Sequence, residues 1–132
     1  MMNYLISPGQ MPIFPVGPRG SFARVFNGDQ HGFPSVSLMM SELQPGEGPS
    51  LHRHEYGEIF VVEEGTGTFQ IGETTVTATQ EDVVLIPDGT PHAFRNSGEG
   101  ILRLTAIHAA SRVAIEWMES PPSEDPGAGN NR

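Results

Sequence analysis

The sequence predicts an all-β domain, a sandwich or a barrel. Two observations carry that prediction. Apolar residues come in many short runs, several of them alternating with polar residues at the period of a strand. Clusters of glycine and proline, such as Pro45-Gly46-Glu47-Gly48-Pro49, punctuate those runs as turns.

Taken in order, residues 1–20 hold Pro8, Pro12, Pro15 and Pro18. Proline removes backbone donors and fixes φ, so this stretch is expected to be an extended arm or a loose terminus. Residues 21–26 read as a strand that ends at the turn signal Asn27-Gly28-Asp29. Residues 34–43 read as the next, with Val36, Leu38 and Met40 alternating against Ser35, Ser37, Met39 and Ser41. Ile59-Phe60-Val61-Val62 is apolar on both faces. That strand is expected to be buried on both, one side inward and the other against a second sheet or subunit. Residues 68–71, 74–78, 83–86, 93–95 and 101–108 read as five further strands. Residues 112–119 fit a short helix or a final strand, which periodicity alone does not separate. Residues 120–132 are Pro, Gly and polar residues without an apolar anchor and read as a disordered tail. The expected organisation is an arm over 1–20, a barrel over 21–119 and the tail.

A chain of 132 residues is one domain by length. It carries 7 basic against 16 acidic residues, a net charge of −9. Nucleic-acid binding needs basic patches to neutralise phosphates, and docking on anionic membranes needs the same sign of charge, so neither partner is expected. Every basic residue is arginine, which excludes lysine Schiff-base chemistry. Cysteine is absent, which excludes thiol nucleophiles, disulfides and thiolate ligands. No run of 18 apolar residues and no basic-then-apolar opening occurs, so a cytoplasmic location is expected.

The chemistry is concentrated in Gly46–Gly65, GEGPSLHRHEYGEIFVVEEG. In an extended strand His52, His54 and Glu58 would share one face. Two imidazoles and a carboxylate so placed suit a divalent first-row metal. The later stretch Pro87-Asp88-Gly89-Thr90-Pro91-His92 supplies a fourth ligand in His92.

These two stretches resemble the paired motifs of the cupins. Gly46, His52, His54, Glu58 and Gly65 match every position of the first motif. Pro87, Gly89, His92 and Asn96 match the second, whose opening glycine is Glu81 here. The resemblance implies a double-stranded β-helix, a jelly-roll barrel with the metal inside. It also implies a homodimer in which the arm pairs with a partner subunit. A six-coordinate metal on His52, His54, Glu58 and His92 would keep two positions open. One divalent transition metal per chain is expected: iron, manganese or nickel by preference, with zinc or copper possible. The contrary reading is a polar core cluster without metal, which would cost several kcal/mol unless fully paired.

Other side chains carry weaker expectations. Phe60 and Phe94 share strand faces with the ligands and should line the pocket. Tyr56 has the ligands' parity, and its hydroxyl would meet a substrate or the barrel mouth. His108 shares parity with Leu102, Leu104 and Ala106; it is either a satisfied edge histidine or an acid/base near the metal. His31 reads as a surface turn residue, and Met39 and Met40 as core filler or cavity lining. Arg53 and Arg95 should face outward, the facing of Arg103 is open, and Asn96 should tie down a turn.

The function expected is a metal-dependent enzyme acting on a small molecule. A dioxygenase of small oxygen-bearing aromatic or enolic compounds is preferred, with Glu58 taking the substrate proton if it leaves the metal. The alternatives are a non-redox isomerase, decarboxylase, cyclase or lyase, or a non-catalytic metal-containing protein that binds a small ligand.

Overall fold

The computed structural model describes residues 2–120. The tail expected over 120–132 lies outside it except for its first residue. Among the described residues eleven strands form two antiparallel sheets that face each other. The first sheet runs β1 (Ile13–Pro15), β2 (Phe22–Phe26), β3 (Ser37–Leu43), β10 (Leu102–His108), β5 (Glu58–Glu64), β8 (Val83–Ile86). The second runs β11 (Glu116–Trp117), β4 (His52–Arg53), β9 (His92–Asn96), β6 (Gly67–Ile71), β7 (Thr74–Ala78). This is an all-β, single-domain jelly roll. Among the described residues its helical pieces are two short 3-10 turns, Pro8–Gln10 and Gly28–His31.

Period-two alternation decides what faces inward. Phe60 and Val62 of β5, Leu102, Leu104 and Ala106 of β10, and Phe69 of β6 are buried between the sheets. Phe60, Phe69 and Phe94 pack as a trio with ring centroids 4.9 to 5.2 Å apart. On β3 the inward face is the serine-bearing one: Ser37, Ser41 and Leu43 are buried and Met39 packs on the core. Val36, Leu38 and Met40 therefore take the other side, a choice that alternation alone does not make.

Within the single chain β5 is buried on its inner face only: Ile59 is exposed, as are Val83 and Leu85 on its neighbour β8. One expectation is corrected: His52, His54 and Glu58 do not lie on one strand. β4 ends at Arg53, and a bend over 55–56 carries the chain to β5 in the opposite sheet. Of residues 112–119 only Glu116–Trp117 form a strand, with Trp117 paired to His52. β1 pairs with β2 of its own chain, Ile13 opposite Arg24.

The turn geometry explains both motif ends. Gly65 has φ +89°, and a Cβ there would fall 2.4 Å from the Ile101 carbonyl oxygen. Glu81, where the second motif begins, has φ +76° and is the one non-glycine with positive φ among the described residues. The backbone keeps the left-handed turn that glycine would have supplied, at a steric cost of about 1 kcal/mol.

Candidate metal centre

Strand register assembles the site. In the first sheet β10 runs beside β5, and His108 pairs with Glu58. In the second sheet β4 meets β9 through the single pair His52–His92. Each sheet thus contributes one facing pair at the same end of the barrel, and His54 follows β4 across the gap. All five side chains are buried, His108 completely.

The carboxylate of Glu58 is the centre. Its Oε1 lies 3.2 Å from His54 Nε2 and 3.0 Å from His92 Nε2. Its Oε2 lies 3.0 Å from His108 Nε2. These approaches are close but not aligned as hydrogen bonds, so Glu58 Oε1 and the Nε2 atoms of His54, His92 and His108 are left without a directed partner. Ligand atoms of His52, His54 and His92 lie within 4.8 Å of one another, as do those of His54, Glu58 and His108.

Backbone carbonyls orient three of the rings. The Nδ1–H of His52 donates to Ser50 O at 2.7 Å, that of His54 to Ala114 O at 2.7 Å, and that of His92 to Thr90 O at 2.8 Å. A carbonyl can only accept, so in each neutral ring Nε2 keeps its lone pair. Burial, and then the neighbouring His92, push the His52 pKa down to about 4, so its ring is neutral at ordinary pH. Burial alone would raise Glu58, but the close approach of His108, His54 and His92 outweighs it and holds the carboxyl well below the usual carboxylate range. Neutral imidazoles and an ionised carboxylate are the protonation states that a divalent metal requires.

Four buried polar atoms without directed partners would each cost about 1–3 kcal/mol. A cation beside Glu58 Oε1 and the Nε2 atoms of His54 and His92 would remove most of that cost, which is the physical sense in which the residues fit a metal. The site is a buried His/Glu cluster that can hold one divalent ion.

A cavity of about 340 Å³ opens onto the cluster. Phe60 and Phe94 line it, as expected, and so do Met39 and His108, whose facing the sequence leaves open; Met40 lies elsewhere. Tyr56 does not line it. The Tyr56 hydroxyl instead meets His108 Nδ1 at 2.7 Å behind the site, and burial pushes its pKa up to about 12. Phe14, Val16, Ile115 and Trp117 complete the wall and were not anticipated. For the last two a signal existed: Val113, Ile115 and Trp117 alternate with Ala114 and Glu116 at strand period. For Phe14 and Val16, among the prolines, there was none. Arg53 pairs with Glu116 at 2.8 Å on the outside, Arg95 is exposed, and exposed Arg103 faces Glu64. His31 stacks on Phe26 and lines a separate hollow with Leu38 and Met40, not the cavity over the cluster.

Two facing antiparallel sheets with a His/Glu cluster inside one end define a jelly roll whose cluster could hold a metal. Residues 39–108 match the cupin domain, and the chain belongs to the cupin family. Auxin-binding protein 1 of Arabidopsis thaliana is 28% identical over 94 residues, 64% of this chain and 48% of that protein. A 5-nitrosalicylic acid 1,2-dioxygenase of Bradyrhizobium sp is 26% identical over 87 residues, 63% of this chain and 42% of that enzyme. The chain spans less than half the length of these relatives. Among solved structures, the formate complex of Lactobacillus farciminis oxalate decarboxylase superposes with a TM-score of 0.75 at 16% identity, over 83% of this chain and 34% of that one. Bacillus subtilis oxalate decarboxylase, whose Mn(II) centres were studied, gives 0.72 at 17% identity, over 80% and 30%. At such identity these two speak for the fold alone. Among the described residues, no helix is long and apolar enough to cross a membrane.

Proposed function

We propose that the chain is a metal-dependent enzyme, a dioxygenase of small aromatic or enolic compounds that present oxygen donors at one end. His52, His54, Glu58 and His92 would hold the metal, which supplies Lewis acidity and, if redox-active, the capacity to use oxygen. The observation that carries the reading is the contrast within one cavity: carbonyl-oriented imidazoles with inward lone pairs at its end, and apolar walls elsewhere.

The walls narrow the substrate. Phe14, Phe60, Phe94 and Trp117 offer ring faces and edges, which favour a planar apolar body. No arginine lines the cavity, so a compound charged at both ends finds no second cation. A volume of about 340 Å³ sits at the small end of ligand pockets. A relative named for a nitrosalicylic acid dioxygenase supports the same class. The three imidazoles that crowd Glu58 make its carboxylate a weak proton acceptor, which favours a ligand's role over a base's.

Binding without turnover is the second reading, and relatives named as auxin-binding proteins favour it. Elemental analysis of untagged protein, followed by oxygen uptake on a panel of salicylates, catechols and enols, separates the two. Near one redox-active metal per chain with substrate-dependent uptake is expected. Saturable binding without uptake or product would move the assignment to the binding reading. No metal after reconstitution would defeat both.

The homodimer remains a proposal. Exposed Ile59, Val83 and Leu85 give β5 and β8 an apolar outer face that a second copy would cover. Sedimentation showing a monomer at micromolar concentration would reject it.

A further inference from the structure

Building on the metal-site reading above, we infer that His108 is not a ligand but a positioning residue: its Nε2–H holds Glu58 through Oε2, and the Tyr56 hydroxyl fixes the tautomer that allows it. By proximity alone His108 qualifies as a ligand, since it groups with His54 and Glu58 within 4.8 Å. Hydrogen-bond direction says otherwise.

His52, His54 and His92 each place Nδ1 against a carbonyl. His108 places Nδ1 against a hydroxyl, Tyr56 Oη, at 2.7 Å. That oxygen already accepts the Ala114 N–H at 3.0 Å. Its own proton has two main outlets, His108 Nδ1 at 2.7 Å or Ala114 O at 3.4 Å. The Ala114 carbonyl is engaged by His54 Nδ1–H at 2.7 Å. His54 Nδ1, 3.4 Å from the hydroxyl, is no outlet because it carries that proton. The hydroxyl therefore donates to His108, whose Nδ1 is an acceptor and whose ring proton sits on Nε2. A ring protonated at Nε2 has no lone pair there for a metal. It has a donor instead, and Glu58 Oε2 is an acceptor 3.0 Å away, which a small turn of either side chain would bring into line. This leaves Oε1, the oxygen beside His54 and His92, for the metal. Ala114 ties the arrangement together: its carbonyl orients a ligand imidazole, and its N–H orients the tyrosine that orients His108.

Long-range 1H–15N NMR of histidine-labelled protein, recorded without metal and then with one equivalent of zinc(II), tests this directly. The expected result is Nδ1–H for His52, His54 and His92, with their Nε2 resonances moved by zinc, and Nε2–H for His108 in both states. A His108 ring protonated at Nδ1, or bound to zinc through Nε2, overturns the inference. Zinc titration adds a second readout. His108→Ala should weaken affinity about 10–100-fold with the stoichiometry still near one, as losses of such supporting partners do. His108→Gln, which keeps a donor, should recover part of it. Unchanged affinity in His108→Ala, or loss of the site altogether, counts against positioning. If zinc moves no histidine resonance, the metal reading fails while the tautomer of His108 is still read from the metal-free spectrum, so the two failures are distinct.

Discussion

The two ends of β9 treat buried polar side chains in opposite ways. At one end Asn96 is fully buried and fully served: its amide donates to Leu43 O at 2.8 Å and Gly100 O at 2.7 Å, and its oxygen accepts Gly98 N–H at 2.9 Å. Glu47, also buried, is answered by the Ser21 hydroxyl and the Arg19 N–H. Four residues away from Asn96, His92 is as deeply buried, yet its Nε2 has no directed partner. Burial does not separate the two ends, but satisfaction does. A polar group that the fold answers is holding the fold together. A cluster the fold leaves open at several kcal/mol is kept for something else.

The comparison is broken most directly by exchanging the two roles. Asn96→Ala would strand two carbonyls and one amide, at about 3 kcal/mol, with metal content per folded chain unchanged. His92→Ala should do the reverse. It should abolish stoichiometric metal and the stabilisation a metal gives, about 2.7 kcal/mol at a hundredfold excess over Kd, while the metal-free protein melts close to the parent. Thermal melts with and without manganese, beside elemental analysis, check both. Should His92→Ala hold metal as the parent does, the ligand assignment is wrong.

The satisfied end was largely legible in the sequence, and part of the open end was. Asn96 was expected to tie down a turn, and His52, His54, Glu58 and His92, expected together from motif spacing, do lie in one cluster. They meet although the geometric premise did not hold: the side chains span two sheets, joined by a bend that parity along one strand cannot describe. Parity placed His108 on the leucine face of β10 but left open whether that face pointed inward. Only the register between β10 and β5 puts it opposite Glu58. Tyr56 was misplaced for the same reason, because it sits in the bend and not in a strand. Phe14 and Val16 reach the cavity through pairing that no local pattern encodes.

Acid sharpens the contrast. His52 is held neutral down to about pH 4 in the fold, against an ordinary 6.5. Between those values the unfolded chain takes a proton that the folded ring refuses. Stability contributed by this group is thus complete above 6.5 and erodes as pH falls towards 4. For metal-free protein the loss should reach about 2 kcal/mol by about pH 5. Glu58, also depressed, adds its own loss only below its ordinary 4.5. Urea midpoints of the parent and of His52→Leu across this range give the test. The variant should lose the slope between neutral pH and 5, and an equal slope in both would remove His52 from the account.

The smallest effect lies in the turn that carries Glu81. It returns the chain from β7 to β8, with Thr79 N–H donating to Asp82 at 2.7 Å and Glu81 N–H to Val62 O at 2.8 Å. Every backbone group named there is satisfied, so the one fault is a side chain at φ +76°. Glu81→Gly removes the steric cost but gives the unfolded chain more freedom, and the two partly cancel. A net gain of up to about 1 kcal/mol is expected, with metal affinity unmoved because the turn touches no ligand. A stabilisation of that size without change in zinc affinity would show that this end of the barrel tunes the fold independently of the cluster. A change in affinity would show instead that the strand β8 passes turn strain on to its partner Glu58, which Ile86 faces across the sheet.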